Sequence, residues 1–205
     1  MLDVNGPAIA TLHTRDADGL TIVQVRNASN GNFIRNVFPL GLGWSPQELR
    51  AIPDQNGNSA DEIAVRMTRD TDGLEIIQIR DGLTQALISN VYPIGAGLST
   101  WTTRKFRAVT TNGITALAIL STRHSDDQVL VQIKSIQTGA VANNVFFIGA
   151  PWEFQQDFAV APNFNGGDDG EIAVLMRNTS TDQRFVQIRD SESDQVIRNV
   201  FQPNE

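Results

Sequence analysis

The chain contains no cysteine. That absence removes disulfides, thiolate metal ligands and cysteine nucleophiles together. It leaves the compartment open, because a reducing cytosol and many secreted bacterial proteins both suit such a chain. Histidine is nearly missing as well, with only His13 and His124 in 205 residues. Positive charge is scarce: 16 Lys and Arg stand against 23 Asp and Glu, a formal net charge of -7. With no basic run longer than a pair, neither a phosphate backbone nor an anionic membrane surface is an expected partner. No apolar stretch approaches the roughly 20 residues of a membrane span. The opening MLDVNGPAIATL lacks a basic start followed by an apolar core, so no export signal is visible. Helical periodicity is missing too, since no dozen residues keep a 3.6 period without Gly, Pro or a β-branched cluster.

What the sequence does have is a four-fold internal repeat. TIVQVRN, EIIQIRD, VLVQIKS and RFVQIRD place Gln at 24, 78, 132 and 187, spacings of 54, 54 and 55. RNVFPLG, SNVYPIG, NNVFFIG and RNVFQP place Asn at 36, 90, 144 and 199 with the same spacings. Upstream, Ala10, Ala64, Ala118 and Ala173 keep the register again. Three independent anchors in one register define four units, near 1–48, 49–103, 104–157 and 158–205, of one repeat domain.

Each unit reads as short strands. In the second, LRAIP, EIAVRMTRD, EIIQIRD and ALISNVYPI are β-branched runs separated by turns. Asp18-Gly19, Asp72-Gly73 and Asn30-Gly31 are hairpin signals. Both faces of VQVR carry apolar residues, as a sheet covered on each side requires. Four antiparallel strands per repeat of about 54 residues predict an all-β, β-propeller-like fold. The first unit has no counterpart of LRAIP, and the last ends at FQPNE. The expectation is an exposed edge, met by a homodimer that completes a ring or by a longer repeat array.

The loops before the second strand of each unit are the candidates for chemistry. In DQNGNSADE, the oxygen donors Asp54, Asn56, Asn58 and Glu62 occupy positions one, three, five and nine, and alternate donors on a tight turn converge on one hard cation. The fourth unit repeats this as NFNGGDDGE, with Asn163, Asn165, Asp169 and Glu171. This arrangement of strand, loop and strand resembles the FG-GAP or VCBS-type repeat, whose loop has the form DxDGDGxxD. The resemblance covers all four units, the loop itself only two. It implies a propeller fold, calcium in the loops, and adhesion or ligand binding at a cell surface or outside the cell. The first and third units, with DVNGP and TTNGITA, lack the later donors. Amides stand at positions three and five of the second loop, so affinity should fall near ~10⁻⁴ to 10⁻³ M, the range of extracellular calcium modules. The alternative is that these are plain turns, rich in Asn and Gly because such turns need positive φ and local hydrogen bonds.

A second function is open to the tryptophans. Trp44 and Trp152 match by count, with Leu98 at the third-unit position and Trp101 three residues beyond it. Such rings stack on sugar faces, which would make the chain a lectin-like, carbohydrate-binding propeller, or they cover the core between sheets. The repeated Gln, the Asn and the basic residues Arg26, Arg80, Lys134 and Arg189 read as architecture, because a buried polar group must be satisfied and a repeating ladder does so. Asp81 and Asp190 are possible partners for the neighbouring Arg. No serine elbow, phosphate loop or dinucleotide fingerprint is present. The expected function is therefore a non-catalytic binding, adhesion or structural module with a protein or glycan ligand. A polysaccharide-degrading enzyme is the remaining reading, and it would need a cluster of basic and acidic groups.

Overall fold

The computed structural model describes residues 7–37, 39, 41–95, 100–147, 151–161, 166 and 169–201. Among them are fifteen strands and no helix, arranged as four antiparallel sheets. The first sheet is β1 (Ala8–Thr14), β2 (Thr21–Asn27) and β3 (Phe33–Val37). The second is β4 (Trp44–Ile52), β5 (Glu62–Arg69), β6 (Glu75–Asp81) and β7 (Leu87–Val91). The third is β8 (Trp101–Thr111), β9 (Ile114–Arg123), β10 (Val129–Ser135) and β11 (Val141–Phe146). The fourth is β12 (Trp152–Ala161), β13 (Glu171–Asn178), β14 (Arg184–Asp190) and β15 (Val196–Phe201). In every sheet, strands adjacent in sequence are neighbours in space. Local turn chemistry is therefore enough to set each pairing.

The turns show how. Between β1 and β2, and between β5 and β6, Gly19 and Gly73 take φ near +70°, which the absence of a Cβ permits without strain. At the hairpin tips Arg15 pairs with Asp18, Arg69 with Asp72 and Arg123 with Asp126, each through two nitrogens. The last hairpin of each sheet carries a bulge at one recurring place, after Val25, Ile79, Ile133 and Ile188. A bulge increases the local twist, so its recurrence gives the four sheets the same bend at the same register.

The chain divides into two compact units, Met1–Tyr92 with Gln137–Gly139, and Pro93–Ile136 with Ala140–Glu205. In the first unit, the face of the first sheet bearing Val23, Val25 and Val37 packs on the face of the second bearing Ile63, Val65 and Met67. In the second unit, Leu120, Val131, Ile133 and Val145 of the third sheet pack on Phe158, Ile172, Val174 and Met176 of the fourth. Positions 23, 25 and 37 correspond in the repeat to 131, 133 and 145, and 63, 65 and 67 to 172, 174 and 176. Both units thus join sheets by the same two faces.

A polar anchor repeats as well. Arg35 donates from Nη1 to the carbonyls of Gly82 (2.9 Å) and Leu83 (2.8 Å), at the β6–β7 turn of the neighbouring sheet. At the corresponding place in the second unit, the Asn143 amide donates to the carbonyls of Ser191 (2.8 Å) and Glu192 (2.6 Å).

Candidate functional site

The loop from Asp54 to Glu62 connects β4 to β5, and its own side chains fold it. Asp54 Oδ1 accepts from the backbone N–H of Asn56 (3.0 Å) and Gly57 (2.8 Å), and Oδ2 from Ser59 (2.7 Å). Asn56 Oδ1 accepts from Asn58 N–H, and Asn58 Oδ1 from Ala60 N–H. Short Asx side chains at alternate positions thus replace the ladder bonds a loop cannot make. Of the residues at positions one, three and five, Asn56 and Asn58 turn their amide nitrogens to one point, while the oxygens of Asp54 are taken up by the loop's own backbone N–H groups.

Their focus is a residue that the sequence reading had placed elsewhere. Asn56 Nδ2 (2.6 Å) and Asn58 Nδ2 (2.7 Å) both donate to Asp81 Oδ2 at the end of β6. Asp81 does not pair with Arg80, which instead bonds Gln78 Oε1 and the carbonyl of Gln85. Asp81 Oδ1 also caps the next turn, accepting from Leu83 and Thr84. A signal for it was present in the repeat. Glu62 faces Asp81 across β5 and β6, and Glu171 faces Asp190 across β13 and β14. At the same register the first sheet has Ala8 facing Asn27 and the third has Ala116 facing Ser135. The Asp appears only where the Glu does.

The electrostatics of this loop are unusual. Glu62 is fully buried, and Asp81 is 3% exposed. Glu62 Oε1 accepts from Gln55 N–H (3.0 Å), while Oε2 is buried without a well-formed hydrogen bond. Burial first, then the charges of Asp81 and Asp54, outweigh the backbone N–H groups of Gln55 and Gly82 and push the Glu62 carboxyl above its ordinary value. Burial opposes charge on Asp81 and Asp54 too. There, backbone N–H donors outweigh it, from Thr84 and Leu83 for Asp81 and from Ser59, Asn56 and Gly57 for Asp54, and both carboxyls fall below the usual range. Two anions therefore stand beside a third carboxyl whose Oε2 is buried without a well-formed hydrogen bond. Among the described residues, no group of three or more His, Cys, Asp or Glu side chains is arranged to hold a metal ion. A cation here would depend on the oxygens of Asn56 and Asn58 as well.

In the fourth unit Asn163 and Asn165 lie outside the described residues. Asp169 accepts from the backbone N–H of Asn112. Glu192 is pushed up, first by its hydrogen bond to Asp169 and then by that residue's charge. Glu171 is buried opposite Asp190.

Each tryptophan begins the first strand of its sheet. Trp44 is paired with Arg69, Trp101 with Arg123 and Trp152 with Asn178. These partners correspond in the repeat, so Trp101, not Leu98, is the third member of the set. Arg69 lies over the Trp44 ring at 5.6 Å and Arg123 over Trp101 at 5.4 Å, while Trp152 meets Phe185 edge to face at 4.5 Å. Trp44 and Trp152 pack on the two hydrophobic cores.

Comparison with family models, with curated proteins and with solved structures returns no match.

Proposed function

We propose that this chain is a calcium-stabilised, non-catalytic binding or adhesion module of β-propeller type, acting outside the cell or at its surface on a protein or glycan ligand. The cation is held by the 54–62 loop together with Asp81. One observation carries this reading: Glu62 Oε2 is buried without a well-formed hydrogen bond beside two ionised carboxylates. Like charges opposite one another on a sheet are destabilising, and an uncompensated buried carboxylate is costly. A hard cation offsets both. Turning over the Asn56 and Asn58 amides exchanges the N–H₂ groups now facing Asp81 for oxygens, completing a set of donors from Asp54, Asn56, Asn58, Glu62 and Asp81. All are oxygens, as calcium prefers, on a flexible loop that does not impose the tight octahedron magnesium demands. Two donors are amides, so binding is weak and belongs where free calcium is millimolar. Asn163, Asn165, Asp169 and Glu171 would be the donors of a second site in the fourth unit, by their spacing in the sequence.

Thermal unfolding tests this. Calcium at about 100 times its dissociation constant should stabilise the protein by about 2.7 kcal/mol relative to chelator, and magnesium by much less. Asp54→Ala should remove most of the increase. Superimposable melting curves in calcium and in chelator would reduce the loop to a turn.

A further inference from the structure

Beyond the two unions described above, the fourth sheet and the first each keep one face exposed, and the two faces are of complementary kind. On the fourth sheet, cross-strand pairing puts Ala173, Leu175, Val186, Ile188, Arg198 and Val200 on a single face, because residues directly opposite share a side. It corresponds to the face by which the first sheet packs on the second and the third on the fourth. There the equivalent Val23, Val25, Val37, Leu120, Val131, Ile133 and Val145 are fully buried. Here Leu175 is 36% and Val200 47% exposed, and a cleft of about 530 Å³ opens along Ala159, Ala173, Leu175 and Val186.

The first sheet shows the opposite vacancy. Its face bearing Ile9, Thr11, His13 and Ile22 corresponds to the one that receives a neighbour in the second and fourth sheets, and Ile9 is 53% exposed.

The anchor is left open in the same way. Arg198 corresponds to Arg35 and Asn143, which hold two turn carbonyls of the next sheet, yet it is exposed, and among the described residues its side chain has no hydrogen bond or ion pair. The carbonyls it would need exist on the first sheet, at Ala28 and Ser29, the counterparts of Gly82 and Leu83. Their turn is already in the receiving form. Asn27 Oδ1 accepts from the N–H of Ser29 and Asn30 as Asp81 Oδ1 does from Leu83 and Thr84.

We infer that the fourth sheet of one molecule docks on the first sheet of a second copy, with Arg198 clamping the partner's Ala28 and Ser29 carbonyls. The union would repeat between molecules the sheet-on-sheet contact that each unit already contains, and two copies joined twice would close as a symmetric dimer. The occupant is a second copy because both halves of the contact, apolar face and anchor, are present on this chain in complementary form.

The test is the mass of the full chain in solution, measured in chelator so that it stands apart from the cation reading. Sedimentation should give twice 22.4 kDa. Arg198→Ala should raise the dimer dissociation constant about a hundredfold, roughly tenfold for each of the two clamps lost. Leu175→Glu and Ile9→Glu, both at exposed positions, should each give folded monomers by circular dichroism. Mixing those two variants should restore a dimer, because one of its two contacts then joins two unaltered faces. A wild-type monomer at high concentration would overturn the inference in favour of closure within one chain. A dimer that survives Ile9→Glu would overturn it in favour of a face-to-face pairing of fourth sheets.

Discussion

Glu62 concentrates the opposing forces at the residue scale. Its pKa is raised in the fold, so the native state binds a proton more readily than the unfolded chain does. Without calcium, stability should therefore rise as pH falls from neutral toward the ordinary glutamate value near 4.5. The hairpin aspartates act in the other direction. Arg15, Arg69 and Arg123 hold Asp18, Asp72 and Asp126 at about 2, below the ordinary 3.8. Their contribution is complete above 3.8 and is lost as pH falls through 2. Melting temperature in chelator should thus peak in mild acid, and calcium should flatten the neutral side of the profile. Glu62→Gln keeps the shape and removes the charge. It should stabilise the calcium-free protein by about 1 kcal/mol, or roughly 2–4 °C, while abolishing the calcium increment. The donors at 54, 56, 58 and 62 were legible as a spacing. Asp81 was not, because its role comes from strand pairing, which brings residue 81 opposite residue 62 across a hairpin.

At the scale of the element, the ladder is the clearest product of the repeat. Gln78, Gln132 and Gln187 donate from Nε2 to Asn90, Asn144 and Asn199 on the next strand, at 3.0–3.1 Å. Arg80 and Arg189 close the other end on the Gln oxygens. The architectural reading of these residues follows from hydrogen-bonding need alone, and the fold agrees with it between strands. Gln78→Leu should cost about 1–3 kcal/mol, because Asn90 and Arg80 each lose a buried partner, and urea titration would measure it. Strands and hairpins were legible for the same reason: they depend on alternation and on turn residues a few positions apart. The tryptophan register was not. Eight residues separate Asn36 from Trp44 and Asn144 from Trp152, but eleven separate Asn90 from Trp101. Counting along the chain therefore lands on Leu98, whereas pairing with Arg123 identifies Trp101.

For the whole molecule, the all-β class and the four sheets follow from the repeat, while the arrangement of sheets beyond each pair depends on contacts no single repeat encodes. Assembly through exposed sheet faces has a thermodynamic signature of its own. If two copies share their faces, the melting temperature should rise with protein concentration, since dissociation accompanies unfolding. A midpoint independent of concentration is the expected behaviour of Leu175→Glu.

A buried Glu facing an Asp occurs in the second and fourth sheets, with Ala and Asn or Ala and Ser in their place in the first and third. The spelling of the chain therefore has a period of about 54 residues, but its chemistry has a period twice as long. Each compact unit holds one sheet of either kind. In a closed ring of such sheets, a lineage or a designer lengthening this protein would be expected to add them two at a time, because an odd number would bring two charged hairpins, or two neutral ones, into succession where the ring closes and break the alternation.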